Sequence, residues 1–174
     1  QPIAAADGNT SSISTAPLSD AIRFKETWGY VVEGREKDFH SDFPISDACI
    51  YAAVVNCYGE LSSLPNLSRL SHISCRVHLV LTCYSRGLCH FILQENSKER
   101  NELLESLSKA AETYDGVQID FEAVPLRDGK QFLSFLSDLK SKLGGKILSV
   151  AVPARTKAIS DDVYAYESIA AIAD

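Results

Sequence analysis

The chain has 174 residues, 17 Lys and Arg against 23 Asp and Glu, a formal charge of −6 and 45% hydrophobic residues. That suits one domain with a sizeable core, while a mildly acidic chain without a long basic run is poorly suited to nucleic acid or an anionic membrane surface. Its longest apolar stretches, such as Ala48–Val55, are too short for a membrane span.

The chain starts at Gln1 and has no Met, so either a removed leader or a trimmed chain is expected. Residues 1–24, rich in Ala, Ser and Thr between Ala4 and Pro17, read as a flexible tail of the kind that follows a cleaved signal peptide. An extracellular or cell-envelope location is the matching expectation. Residues 25–174 form the domain proper. Trp28–Glu33 reads as the first strand, with Trp28 expected in the core, and Glu36–Phe43 as loop or short helix. Cys49–Asn56, nearly all apolar, is the second strand, and Leu64–Ser71 a short helix. Arg76–Cys83 is the third strand.

Ser97 then looks like an N-cap, followed by Leu103, Leu104, Leu107, Ala110, Ala111 and Tyr114 at helical spacing. Gly116–Glu122 is the fourth strand. Asp128 and Gln131 resemble a capping box ahead of a helix carrying Phe132, Leu133, Phe135, Leu136, Leu139 and Leu143, closed by Gly144 and Gly145. Ile147–Pro153 is the fifth strand, and a last helix is expected from about Val163 to Ala173.

Strands that read as continuous apolar runs suit a sheet covered on both faces, hence a parallel one, and alternation with helices makes an α/β protein. Two architectures fit: an open doubly wound sheet, or part of a (β/α)8 barrel. The first often carries a Gly-rich phosphate turn after its first strand, and Trp28–Asp38 offers Gly29 and Gly34 without a GxGxxG. A whole barrel takes about 250 residues, so about five parallel strands with flanking helices would be a partial TIM barrel.

The five cysteines, Cys49, Cys57, Cys75, Cys83 and Cys89, are too few and odd in number for a disulfide scaffold and read as small buried hydrophobes. His72, Cys75 and His78 invite a metal reading. A strand does not bring positions three apart onto one face, and no CxxC pair exists, so no metal site is expected.

Chemistry concentrates in Tyr114–Pro125. Strand alternation sends Val117, Ile119 and Phe121 to one face and Gln118, Asp120 and Glu122 to the other. Same-face neighbours are about 6.6 Å apart along the backbone, and two carboxylates in a sheltered mouth resist ionising together. One then keeps its proton and serves as a general acid. Glu122, at the C-terminal end of its strand where barrel enzymes place their chemistry, takes that role, with Asp120 orienting it. The plainer alternative is a half-exposed strand whose polar face meets water. Tyr30, Tyr84 and Arg155 fall near C-terminal strand ends and are candidates to line a sugar groove, although Arg155 has Asp161 and Asp162 within reach as surface partners.

The run from Asp115 to Glu122 resembles the DGxDxDxE signature of glycoside hydrolase family 18, the chitinases and their relatives. Asp115, Gly116, Asp120 and Glu122 match, and Gln118 stands where the family has its middle aspartate. Trp28-Gly29-Tyr30 resembles the family's first strand, Ile50–Val55 with Gly59-Glu60-Leu61 its second strand and turn, and Leu148–Ala154 its fifth. The third strand has Leu81-Thr82-Cys83-Tyr84 in place of the family's SxGG. The resemblance covers roughly Thr27 to Asp174 and leans towards bacterial members, including those acting on peptidoglycan.

It implies retaining, substrate-assisted hydrolysis of an N-acetylglucosamine polymer. Glu122 would be acid then base, Asp120 would orient the acetamido group, Asp115 would support the strand end and Asp120's surroundings, and Gln118 would hydrogen-bond Asp120. No metal or cofactor is implied; the partner is a carbohydrate polymer. A catalytically weak glycan-binding relative and an unrelated phosphate- or nucleotide-binding α/β protein are the alternatives. Five strands cannot close a barrel. We therefore expect the open side to be covered by a second copy, by another chain, or, the favoured reading, by the rest of a longer protein.

Overall fold

The structure is a computed structural model and describes residues 24–174; the tail expected over 1–24 lies, apart from the exposed Phe24, outside the described residues. Six strands form one sheet: β1 (Trp28–Val32), β2 (Asp47–Val55), β3 (Leu61–Ser62), β4 (Arg76–Cys83), β5 (Gly116–Phe121) and β6 (Ile147–Val150). The order is β1-β2-β4-β5-β6, all parallel, with β3 added antiparallel to the end of β2. The five expected strands are therefore present. The two-residue β3 was not foreseen. Its turn is built by Asn56, whose side-chain Oδ1 accepts from the Tyr58 and Glu60 amides at 2.9 and 3.1 Å, and by Gly59 at φ +77°, which suits glycine.

The helices are α1 (Arg86–Ile92), α2 (Lys98–Ala111), α3 (Gly129–Lys142) and α4 (Tyr166–Ala170). Ser97 caps α2 as expected, accepting from the Arg100 amide at 3.1 Å. The reading missed α1, whose cap is Ser85, accepting from the Leu88 amide at 3.3 Å. The expected capping box on α3 does not form. A 3-10 turn over Leu126–Asp128 leads straight into α3, and the Asp128 carboxylate turns to His90 Nδ1 at 2.8 Å. Gly144 and Gly145, at φ +61° and +89°, do close α3. The last helix is shorter than expected at both ends, and before its start Asp162 accepts the Tyr164 amide at 2.9 Å. The loop or short helix expected after the first strand and the short helix expected after the second contain 3-10 turns over Glu36–Asp38 and Leu67–Leu70.

One sheet face carries Leu79, Leu81, Val117, Ile119, Phe121 and Leu148 and packs under α2 and α3, which contribute Leu103, Leu107, Phe132, Phe135 and Leu139. Each such side chain is worth about 1.5–3 kcal/mol when fully buried, so this layer fixes which way β5 faces. A smaller cluster of Val31, Phe39, Ala48, Ile50 and Leu70 covers β1 and β2.

The opposite face is polar at its base. Arg76 donates to Glu26 at 2.7 Å and to Asp47 at 2.8 Å, and His78 Nε2 is 2.7 Å from Asp47 Oδ1. Burial pushes the Asp47 carboxyl up, but hydrogen bonds from Arg76, Ser46 and His78 outweigh it and hold the group below its ordinary range. Trp28 is not a core residue: half-buried, it lies over His78 with ring centroids 4.6 Å apart. Gly116 sits where any side chain would collide. An added Cβ would be 2.5 Å from His78 Nδ1 and 2.6 Å from the Ile147 carbonyl. Gly116→Ala is accordingly expected to cost about 1–3 kcal/mol through overpacking, read as a lower midpoint in denaturant.

Among the described residues no helix is long and apolar enough to cross a membrane.

Candidate functional site

Because the apolar residues of β5 are locked under the helices, its alternate residues must face the other way. Gln118 and Asp120 are 5% and 4% exposed there. Glu122 follows the last strand residue, its amide still bonded to the Cys83 carbonyl of β4 at 3.2 Å. The two acids therefore share a face, but not the shelter expected for both: Asp120 is enclosed, whereas Glu122 is exposed at the strand end.

Asp120 is enclosed by a residue the sequence reading missed. Tyr51 donates its hydroxyl to Asp120 Oδ2 at 2.5 Å. The register sets Tyr51 level with Val80 and Gln118, so the phenol crosses β4 and reaches one same-face position further up β5. Burial first, then the adjoining Asp120 carboxylate, push the Tyr51 hydroxyl well above its ordinary pKa, which keeps it a donor. Its only sequence signal was a polar tip inside the otherwise apolar run CIYAAVV.

Tyr30 stacks obliquely on Tyr51 at 5.3 Å. The two tyrosines, Asp120, Glu122, Val152 and Pro153 line a cleft of about 410 Å³. Tyr84 is exposed just past β4; modest burial and then the Asp120 and Glu122 charges raise its phenol, so it stands within electrostatic reach of both acids.

Two candidates make other contacts than expected, and Arg155 takes its alternative partner. Gln118 donates to Ser149 on β6 at 3.2 Å rather than to Asp120, because Ser149 faces it in register and Tyr51 already occupies the aspartate. Its Oε1 is buried without a partner. Asp115 precedes β5, about 23 Å of extended strand from Glu122; its carboxylate accepts the Val77 amide at 2.7 Å and its amide donates back to Val77 at 2.8 Å. It fastens the start of β5 to β4 and does not reach Asp120's surroundings. Arg155 pairs with Asp162 at 2.5 Å and lies over Tyr166 at 5.9 Å, in a separate concavity beyond β6, outside the acid cleft.

No three His, Cys, Asp or Glu side chains converge as metal ligands among the described residues. His72 is engaged with the Glu36 and Phe39 carbonyls and His78 with Asp47. Cys49, Cys83 and Cys89 are buried as read, whereas Cys57 is exposed and Cys75 only partly covered, and all five are free.

The family model for glycosyl hydrolases of family 18 matches residues 58–174, which include β5 and β6 but not Tyr30 or Tyr51. A Bacillus subtilis protein named as a sporulation-specific glycosylase, YdhD, is 33% identical over 113 residues, covering 60% of this chain and 26% of that protein. The spore cortex-lytic enzyme SleL of Bacillus megaterium QM B1551 superposes with a TM-score of 0.73 at 21% identity, over 85% of this chain and 40% of that one. The Bacillus subtilis ydhD crystal structure gives 0.62 at 27% identity, over 72% and 46%. The chain thus spans less than half the length of these relatives. Its five parallel strands with flanking helices correspond to part of their barrel, and the match over more than half of its residues places the chain in the glycosyl hydrolases of family 18.

Proposed function

We propose that the protein containing this chain hydrolyses N-acetylglucosamine-containing polysaccharide, of chitin or peptidoglycan type, with retention and assistance from the substrate. Glu122 protonates the glycosidic oxygen from the open end of β5. The 2-acetamido oxygen of the same sugar attacks the anomeric carbon, so no protein nucleophile is needed. Asp120, held by Tyr51, orients the acetamido group and offsets the positive charge of the oxazolinium ion. Glu122, now ionised, takes a proton from the water that opens it.

The observation carrying this reading is the shared face of Asp120 and Glu122 at the C-terminal end of β5, with Asp120 buried on a tyrosine donor and Glu122 facing the cleft. Tyr30 and Tyr84 offer aromatic faces to a sugar there. The sporulation and cortex-lytic relatives favour a cell-envelope substrate. The open face beyond β1 and β6 is then completed by further strands of the longer protein.

The test is hydrolysis of a chromogenic N-acetylglucosamine oligomer and of purified peptidoglycan by the full-length protein. Products should form with retained anomeric configuration, and a thiazoline mimic of the oxazolinium ion should inhibit. Failure on both substrates would remove the proposal. Turnover indifferent to the thiazoline would remove substrate assistance.

A further inference from the structure

The ladder joining β5 to β6 ends at a proline. The Ile147 amide donates to the Asp115 carbonyl at 3.2 Å, and the Ala151 amide to the Ile119 carbonyl at 2.9 Å. The same pattern two residues on would bond position 153 to the Phe121 carbonyl, but Pro153 has no N–H. That carbonyl, one residue before Glu122, accepts instead from the buried Tyr164 hydroxyl at 2.5 Å.

Glu122 and Ala123 form a hydrogen-bonded turn directly after Phe121. The Tyr164 hydroxyl thus holds the residue from which the turn carrying Glu122 starts. Tyr164 is fixed in its own right. Its ring meets Phe132 edge-on at 6.0 Å, and its amide donates at 2.9 Å to Asp162 Oδ1, the oxygen that Arg155 also holds.

We infer that Tyr164 is a positioning residue for Glu122: its hydroxyl supplies the bond that Pro153 cannot make and fixes the turn that aims the carboxyl, with Asp162 and Arg155 fixing Tyr164. This rests on the proposed function for its catalytic consequence. It also gives Arg155 a task other than lining the sugar groove.

The experiment uses the full-length protein and a chromogenic N-acetylglucosamine oligomer. Tyr164→Phe keeps the packed ring and removes only the hydroxyl. It is expected to lower kcat roughly tenfold with KM within about twofold, the pattern of a misaimed group rather than lost substrate binding. Adding Pro153→Ala restores a backbone donor opposite Phe121, and the double variant should recover about threefold over Tyr164→Phe. Amide exchange read by mass spectrometry over 121–124 should quicken in Tyr164→Phe.

Exchange unchanged over that turn would overturn the inference whatever the activity. A lower melting midpoint with kcat unchanged would also overturn it, since it would show a purely structural bond. An inactive wild type would instead overturn the proposed function, and is distinguishable because exchange is read without turnover. Should Tyr164→Phe not fold, Asp162→Asn, which weakens the hold of Arg155, should lower kcat about twofold to threefold at constant KM; an unchanged kcat there would overturn the inference.

Discussion

Replacing Glu122 by Gln is expected to reduce kcat on a chromogenic N-acetylglucosamine oligomer by roughly 100-fold or more. Glutamine has nearly the same shape and fits the same exposed position past β5, so the fold should be untouched and the melting midpoint unchanged. What it lacks is a transferable proton. Without one, the leaving oxygen departs as an alkoxide, and no base remains to activate water afterwards. The exposure of Glu122 makes the test clean, since the change leaves no buried polar group unpaired. Rates in wild type and variant within a factor of a few would mean that Glu122 is not the acid.

Asp120→Asn should act almost as strongly by a different route, lowering kcat about 100-fold. Asparagine keeps an oxygen to accept from the Tyr51 hydroxyl, so the link made across β4 survives. The negative charge that balances the oxazolinium ion does not. The affinity for a thiazoline mimic should fall alongside kcat, because both read the charge opposite the acetamido group. Undiminished thiazoline binding with a wild-type rate would assign Asp120 to scaffolding only. Gln118 sharpens this prediction. With an amide where relatives of the signature carry a carboxylate, and with that amide turned to Ser149, Asp120 is the buried acid nearest to Glu122 along β5.

How far the site could be read beforehand varies residue by residue. Gln118, Asp120 and Glu122 were placed on one face by alternation, and the structure agrees, because the apolar partners Val117, Ile119 and Phe121 had only the helices to pack against. Ser97 was recognised as a cap because its bond spans three residues. Asp128 was misread although its spacing was correct, because a competing partner, His90, comes from 38 residues away. Asp115 shares a sequence motif with Glu122 yet lies far from it, because an extended backbone carries the two ends of the motif apart.

The covalent alternation of β5 is thus written in the chain itself, and with it the pairing of Asp120 and Glu122 on one face at a strand end. Which groups hold that pair was decided only by the fold. Tyr51 lies 69 residues from Asp120 and Tyr164 lies 43 residues from Phe121; both meet their targets because parallel register and a proline-ended ladder bring them there. Side-chain periodicity is local, a property of a few consecutive backbone dihedrals. Hydrogen-bond partnership across strands depends on register and reach, which exist only once the sheet has assembled.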